Sequence, residues 1–432
     1  MFDHIDINSD FQLALDYLEN SDEHVFISGK AGTGKSTLLN YVKHQCSKKM
    51  VVLAPTGVSA LNVQGETVHS FFKFKINVTP EKAYEQGLKI KRTFFYECID
   101  TIIIDEISML RADLLDCIDQ FLKAVLKTDE SFGGIQLIVI GDLYQLPPVV
   151  THQDREYIFN RYQSPYFFDA AVCKEFVFKH VELQTIYRQT DKHFIDFLHQ
   201  IRTASINNDA LKQFNDNRVK KHHQVSDDCI VLCTTNQAAV QRNEQALKKL
   251  QTQEYFLQGS IKGSFETKRL PVEQELILKI GAKVMMINND AQDRWVNGSI
   301  GEIVSINPKD SNLTVALKSG MNVSVEPHQW DMYTYIYDEK NNTLVQEKKG
   351  SFTQYPLQLA WAITIHKSQG KTFEHVAIDL AHHAFAPGQI YVALSRCTQL
   401  KGITLYHPLT INQLKVDYRV KNYMQLLASS SR

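Results

Sequence analysis

Gly29-Lys30-Ala31-Gly32-Thr33-Gly34-Lys35-Ser36-Thr37 is the stretch on which the reading of this chain turns. Its Gly-x4-Gly-Lys-Ser spacing is that of a phosphate-binding loop. The apolar run His24–Ser28 before it reads as a strand, and the run after it as a helix. In that setting the glycines, with Gly32, Thr33 and Gly34 at the centre, let backbone N–H groups wrap a polyphosphate at a helix N-terminus. Lys35 neutralises the β and γ charges, and Ser36, beside Thr37, offers a hydroxyl to Mg²⁺. A chance glycine turn would lack this order of strand, loop and helix.

Outward from the loop, Val51–Ala54, Thr101–Ile104 and Leu137–Ile140 are further apolar runs alternating with helical stretches over residues 1–180, the mark of a parallel α/β sheet. They end in Pro-Thr-Gly, Asp-Glu and Gly-Asp. Open α/β sheets bind ligands beyond the carboxyl ends of their strands, so these endings describe a single site. Asp105 is placed to hold Mg²⁺ through water, and Glu106 to orient and deprotonate an attacking water. Gln145, in Gly141-Asp-Leu-Tyr-Gln145-Leu-Pro-Pro-Val, stands where it can sense a γ-phosphate. Leu183-Gln-Thr-Ile-Tyr187-Arg188-Gln189 and Gln389-Ile-Tyr-Val-Ala-Leu-Ser-Arg396 each deliver an arginine from a second domain. Arginines supplied across a cleft stabilise the charge that phosphoryl transfer spreads over equatorial oxygens. Taken singly, either is as easily a surface salt bridge.

The second α/β region starts near Val181, with strands at Ile230–Cys233, Val376–Asp379 and Ile403–Tyr406. Between residues 260 and 350 the texture changes to short alternating runs, Lys283–Ile287, Gly301–Ile306 and Leu313–Leu317, which predict a small all-β insertion. A polar, lysine-rich insertion, Lys75 to Phe94, interrupts the first domain. With 47 basic against 48 acidic residues, the chain lacks the excess of a passive nucleic-acid binder, and charge alone decides nothing about its partners. Seven scattered cysteines without a Cys-x-x-Cys pair, and an acidic start without an apolar run, predict a reducing, intracellular setting. No apolar stretch is long enough to span a bilayer. The expectation for a bacterial source is a cytoplasmic, nucleoid-associated protein. His222-His223 and His382-His383 lack cysteines or carboxylates at ligand spacing and read as solvated surface.

Taken together, the motifs resemble PIF-type (petite integration frequency) helicases of superfamily 1B, with RecD-type helicases as cousins. The resemblance runs from about Phe11 to Pro408. It is carried by Ala54-Pro-Thr-Gly-Val-Ser-Ala, Thr67-Val-His69-Ser-Phe-Phe, Asp105-Glu-Ile-Ser-Met-Leu, Gly141-Asp-Leu-Tyr-Gln-Leu-Pro-Pro-Val, Trp361-Ala-Ile-Thr-Ile-His-Lys-Ser-Gln-Gly-Lys-Thr and Tyr391-Val-Ala-Leu-Ser-Arg. It implies an α/β fold of two RecA-like parallel-sheet domains in tandem. The first would span 1–180, with a wedge insertion at about 75–94. The second would span 181–260 and 350–432, with a small SH3-like β-barrel inserted at 261–349. It further implies an ATP-dependent 5′-to-3′ DNA helicase, with ATP and Mg²⁺ as cofactors. Its implied partners are single-stranded, duplex and forked DNA and four-stranded G-rich DNA, with no membrane and a monomeric motor core. By the same resemblance Gln12 reads the adenine through its amide, Tyr187 stacks on the base, and Gly370 belongs to the nucleotide site.

Motors of this kind grip phosphates without reading bases and fill gaps with aromatic rings. Thr56, His69 and Lys73 can reach phosphate in the first domain, and Phe72 can stack on a base. Phe71, Phe72 and Phe74 fit a core equally well, and one of the three is expected to touch DNA. In the second domain Thr234 and Asn236, with His366, Lys367 and Ser368, form the other half of the track. Asp293-Arg-Trp295-Val-Asn297-Gly in the barrel resembles a further strand contact. A metabolic kinase or transporter ATPase would share the loop and Asp-Glu, but needs neither the two arginines nor His-Lys-Ser-Gln-Gly. A clamp that binds without unwinding, and an RNA motor, stay open from the residues alone.

Overall fold

Thr101-Ile-Ile-Ile104 and Gln136-Leu-Ile-Val-Ile-Gly141 are buried at every position, a pattern that only strands covered on both faces satisfy. A computed structural model describes residues 7–221, 225, 229–265, 270–308, 312–338, 340–341, 343–380 and 386–430. The pairs His222-His223 and His382-His383 lie outside the described residues. The chain forms two units. Met1–Tyr187, Met332–Lys349 and Asp417–Arg432 make the first; Arg188–Asp331 and Gly350–Val416 make the second.

The first unit is built on six strands: β1 (Val25–Gly29), β2 (Met50–Ala54), β3 (Glu66–Thr67), β4 (Thr101–Ile104), β5 (Gln136–Gly141) and β6 (Lys179–Leu183). They pair in parallel in the order β3-β2-β4-β5-β1-β6. That order brings the ends of β1, β4 and β5 together at the middle of the sheet. Side chains alternate between two cores, as the twofold period of a strand requires. Val25, Ile27, Val52, Ile103, Ile138 and Ile140 face helices α1 (Ser9–Asn20) and α2 (Lys35–Gln45). Phe26, Val51, Leu53, Ile102, Ile104, Leu137 and Val139 face the opposite core, with Ile118, Phe121 and Leu122 of the helix Ala112–Leu126.

The insertion at 75–94 carries a helix, Pro80–Leu88, capped by Thr79 and docked on Ala112–Leu126. Ala83 is buried, and Gly87 lies so close that a Cβ there would stand 2.6 Å from the Phe121 carbonyl oxygen. Ile76, Tyr84 and Leu88 are left exposed.

Two late segments complete the first unit, and neither follows the expected boundaries. The hairpin residues Met332–Lys349 sit on it through Tyr335, whose hydroxyl accepts the Val52 N–H at 2.9 Å, and through Gln346, whose amide donates to the Gln64 carbonyl. The helix Tyr418–Ser430 buries Val420 and Leu427 in the first unit's core and stacks Tyr423 on Phe168 at 4.3 Å. Residues 417–432 thus belong with the first unit, not with a second domain running to 432. Their apolar face has its partner there.

In the second unit Ala362–Thr364, Ile230–Cys233, Val376–Asp379 and Ile403–Leu405 form a parallel sheet in that order. Between Cys233 and Ala362 in sequence comes an antiparallel module. Its strands are Asn322–Val325, Asn312–Leu317, Ile300–Asn307, Lys283–Met286 and Leu357–Leu359, in spatial order. Val284, Met286, Ile303, Leu313, Val315, Val325 and Leu357 fill its own core. The last strand lies beyond the expected limit at 349, because Leu357–Leu359 closes the sheet against Lys283–Met286.

Candidate functional site

The turn between β1 and α2 is set by Gly32 and Gly34, at φ +84° and +87°, values that residues with a Cβ rarely adopt. Gly34 caps α2, whose Leu38, Leu39 and Val42 anchor it to the sheet. Thr33 is buried and ties its hydroxyl to the Lys30 carbonyl at 3.0 Å. The Lys35 ammonium lies back over the loop, donating to the carbonyls of Gly29 at 2.7 Å and Lys30 at 2.9 Å. Ser36 and Thr37 are exposed in the first turn. Its own backbone angles and hydrogen bonds therefore hold the loop's curvature, with the Lys35 cation inside it.

Asp105 directly follows β4, its N–H bonded to the Leu53 carbonyl. Burial, and then the neighbouring Glu106 carboxylate, push its acid up to about 7, against the pull of Lys35. Two crowded carboxylates beside one ammonium call for a counter-cation. The Ser36 hydroxyl and Asp105 carboxylate are the hard oxygen donors that Mg²⁺ accepts alongside phosphate and water. Glu106 sits at φ +51°, a left-handed conformation that costs a non-glycine residue about 1 kcal/mol or more. Beyond β5, Gln145 is buried and reaches toward Asp142 at 3.4 Å. Asp142, also buried, accepts the Tyr144 N–H and so shapes the turn that carries Gln145. Asp142 is a functional residue beyond those expected from the motifs, and its place one residue past a strand is the signal that marks it.

Gln12 is exposed on α1. One turn earlier, Asn8 caps that helix and donates to Thr185 Oγ1 at 3.0 Å and Tyr187 Oη at 3.4 Å. The Tyr187 N–H donates to the Gly32 carbonyl at 2.8 Å, and its half-exposed ring lies alongside Gly34. Tyr187, the expected stacking residue, is thus tethered to the phosphate loop.

Arg188 and Arg396, far apart in sequence, meet within the second unit. Arg188 Nη1 donates to the Ser395 carbonyl at 3.4 Å, and Gln189 Nε2 to the carbonyls of Ser395 and Cys397. Arg396 is 2% exposed and donates to the Val392 carbonyl and the Ser395 hydroxyl. Gln189, which sequence reading left without a role, is the buried peg that joins the two motifs. Burial lowers the Arg188 guanidinium below its usual range, the signature of a cation held away from water.

The residues expected on the strand divide. Thr56 is half-buried and spends its hydroxyl capping the helix Gly57–Asn62. His69 is half-buried in the turn Val68–Phe71, and Lys73 is exposed. Phe72 is 0% exposed, edge-on to Phe71 and Phe121 and stacked on Phe74, and both neighbours in the motif are buried too. The expectation that Phe72, or one of its two companions, touches DNA is corrected: their spacing serves the core. In the second unit Asn236 and Lys367 are exposed and His366 is half-buried, its imidazole lowered by burial. Thr234 is buried, and the exposed start of the following helix is Asn236. Ser368 is wholly buried, with its hydroxyl on the Ile365 carbonyl at 2.7 Å, so it shapes the loop and cannot grip a strand. Gly370, at φ +79°, has nothing within 4 Å of where a Cβ would lie. No helix among the described residues is long and apolar enough to cross a membrane.

A family model described as PIF1-like helicase matches residues 9–212. The ATP-dependent DNA helicase Pif1 of Bdellovibrio bacteriovorus is 34% identical over 409 residues, covering 93% of this chain and 88% of its own length. The crystal structure of Bacteroides sp. Pif1 in complex with ADP-AlF4 is similar with a TM-score of 0.91 and 35% identity, covering 99% of this chain and 98% of that one. The structure of Bacteroides Pif1 bound to single-stranded DNA gives a TM-score of 0.69 at 35% identity, covering 99% of this chain and 98% of the other.

Proposed function

The chain belongs to the PIF1-like helicase family and is an ATP-dependent DNA helicase with that family's 5′-to-3′ polarity, and on this premise we propose how its own residues divide the work. Lys35 and the loop N–H groups bind the triphosphate, with Gln12 and Tyr187 at the base. Glu106 orients the attacking water and takes its proton, and Gln145, set by Asp142, lies beside the γ-phosphate. Mg²⁺, held by Ser36 and Asp105 with the phosphates, would supply neutralisation of the charge between the β and γ groups. Arg188 and Arg396, joined through Gln189, stabilise the charge that phosphoryl transfer spreads over the equatorial oxygens. Lys73, His69, Asn236, His366 and Lys367 grip the phosphates of the single strand. The bacterial relative supports a place with the chromosome in the cytoplasm.

The observation that carries this reading is the glycine loop itself, with Lys35 seated on its carbonyls and close enough to Asp105 to pull on its acid. The test pairs two measurements. Lys35→Ala should abolish DNA-stimulated ATP hydrolysis while single-strand binding stays within about threefold of wild type, a margin under 1 kcal/mol. On matched duplexes with a 5′ or a 3′ tail, wild type should open only the former. Full hydrolysis by Lys35→Ala would remove the nucleotide assignment. Opening of the 3′-tailed duplex alone would remove the polarity.

A further inference from the structure

Lys371 is the penultimate residue of the motif that begins at Trp361, yet neither the nucleotide chemistry nor the strand grip above uses it. Its ammonium donates to Asn297 Oδ1 at 2.6 Å. Burial pushes it down to about 8, the mark of an amine drawn out of water onto one partner. Asn297 is itself fixed. Its N–H donates to Asn289 Oδ1 at 2.8 Å. Within the same turn Arg294 pairs with Asp290 at 2.7 Å and lies over the Trp295 ring at 4.7 Å. The next residue, Gly298, has φ +103°, and a Cβ there would approach the Thr372 carbonyl oxygen to 3.2 Å, so the loops meet backbone to backbone. On the other side the His366–Gly370 turn is closed by the Ser368 hydroxyl and by the Lys371 N–H donating to the Ser368 carbonyl at 3.0 Å. Lys371 thus sits at the junction of two internally braced loops, one from the parallel sheet and one from the antiparallel module.

We propose that Lys371 is a positioning residue that latches the Asp290–Gly298 loop to the His366–Gly370 loop, so that the two present one continuous surface to single-stranded DNA. The inference rests on the reading above that His366 and Lys367 grip the strand. Lys367 and the tip Asp293–Val296 flank the latch, and Lys367, Asp293 and Val296 are exposed. Two loops held in fixed register meet the strand without first being ordered; released loops must be ordered during binding, which costs affinity but leaves the hydrolytic step alone.

The test measures ATP hydrolysis against the concentration of an oligothymidylate of about 16 nucleotides, the upper end of a single-strand site. Lys371→Met and Asn297→Leu cut the same bond from opposite sides. Each should raise the half-activating DNA concentration about tenfold, the scale of one charge-assisted hydrogen bond. Each should leave kcat at saturating DNA and KM for ATP within about twofold, below the weight of one neutral hydrogen bond. The double variant should be no weaker than either single one, and Asn297→Asp, which keeps an acceptor, should restore wild-type binding. Unchanged half-activation in both single variants, or multiplication of the two effects in the double variant, overturns the latch. If Lys371→Met fails to fold, Asn297→Leu and Asn297→Asp decide alone. Lys367→Ala tests the underlying reading: if it leaves half-activation unmoved, the grip and the latch fall together. If it weakens binding while the latch variants do not, the latch alone falls.

Discussion

Replacing Phe72 with alanine separates two roles that its motif leaves open. The ring is wholly buried, with centroids 4.8 Å from Phe71, 5.2 Å from Phe74 and 5.4 Å from Phe121. A buried phenylalanine withdraws about 150 Å² of surface from water, and at ~25 cal/mol per Å² its loss is worth about 4 kcal/mol. Phe→Ala substitutions in cores cost ~3–5 kcal/mol once the cavity is included. A ring stacked on a base would instead lose ~1–3 kcal/mol of DNA affinity and little stability. The three tryptophans, Trp295, Trp330 and Trp361, all lie in the second unit, so their fluorescence follows that unit while circular dichroism follows both. Guanidinium unfolding watched by both probes isolates the first unit, and fluorescence anisotropy at fixed salt gives the DNA affinity. The expected result for Phe72→Ala is a first-unit transition at markedly lower denaturant, with DNA affinity of the folded protein within about threefold of wild type. A stability loss below about 1 kcal/mol together with a tenfold weaker affinity would refute the core assignment.

Other perturbations have equally definite expectations. Arg396→Ala should lower DNA-stimulated kcat by about 10³ or more, as removal of a charge-stabilising arginine does in phosphoryl transfer, and a loss below tenfold in a steady-state assay would take the residue out of the hydrolytic step. His24 accepts the Leu137 N–H on Nδ1 at 3.0 Å amid Phe132 and Phe176, and burial lowers its imidazole from 6.5 to about 4. The folded state therefore holds His24 neutral, so its contribution is intact above pH 6.5 and is lost as pH falls toward 4. By pH 5 the loss should be about 2 kcal/mol, which thermal melts of wild type against His24→Gln across that window will show or refute. Gly87→Leu should cost ~1–3 kcal/mol by overpacking against Phe121 and Ala124. Protease nicking between residues 75 and 94 should then come earlier than in wild type.

What the residues disclosed, and what they withheld, follows from the range of the forces involved. Thr101–Ile104 and Ile230–Cys233 were legible as strands, because a short apolar run ending in a polar residue is local information. The phosphate loop was legible for the same reason, its glycines and Lys35 being contiguous. Phe72 was not, since a ring beside a motif reads alike whether it meets a base or Phe121 across the core. Ser368 misled in the same way: its hydroxyl is satisfied by a carbonyl three residues back, a choice no spacing records. The docking of Tyr335 on Val52 and of Tyr423 on Phe168 joins segments hundreds of residues apart, and nothing in either segment names its partner.

The late docking of Tyr418–Ser430 also bears on how the protein is made. A ribosome releases the six strands of the first sheet long before it reaches Val420, Tyr423 and Leu427, which cover one end of that sheet's aromatic core. Until then Phe167 and Phe168 lack the Tyr423 ring that packs on both, and the first unit is an unfinished body tethered to a growing second one. Exposed apolar surface of that kind invites chaperones and misassembly. The N-terminal unit of this motor therefore matures last, and a message cut short before codon 417 would yield nucleotide-loop protein that is made but never completed.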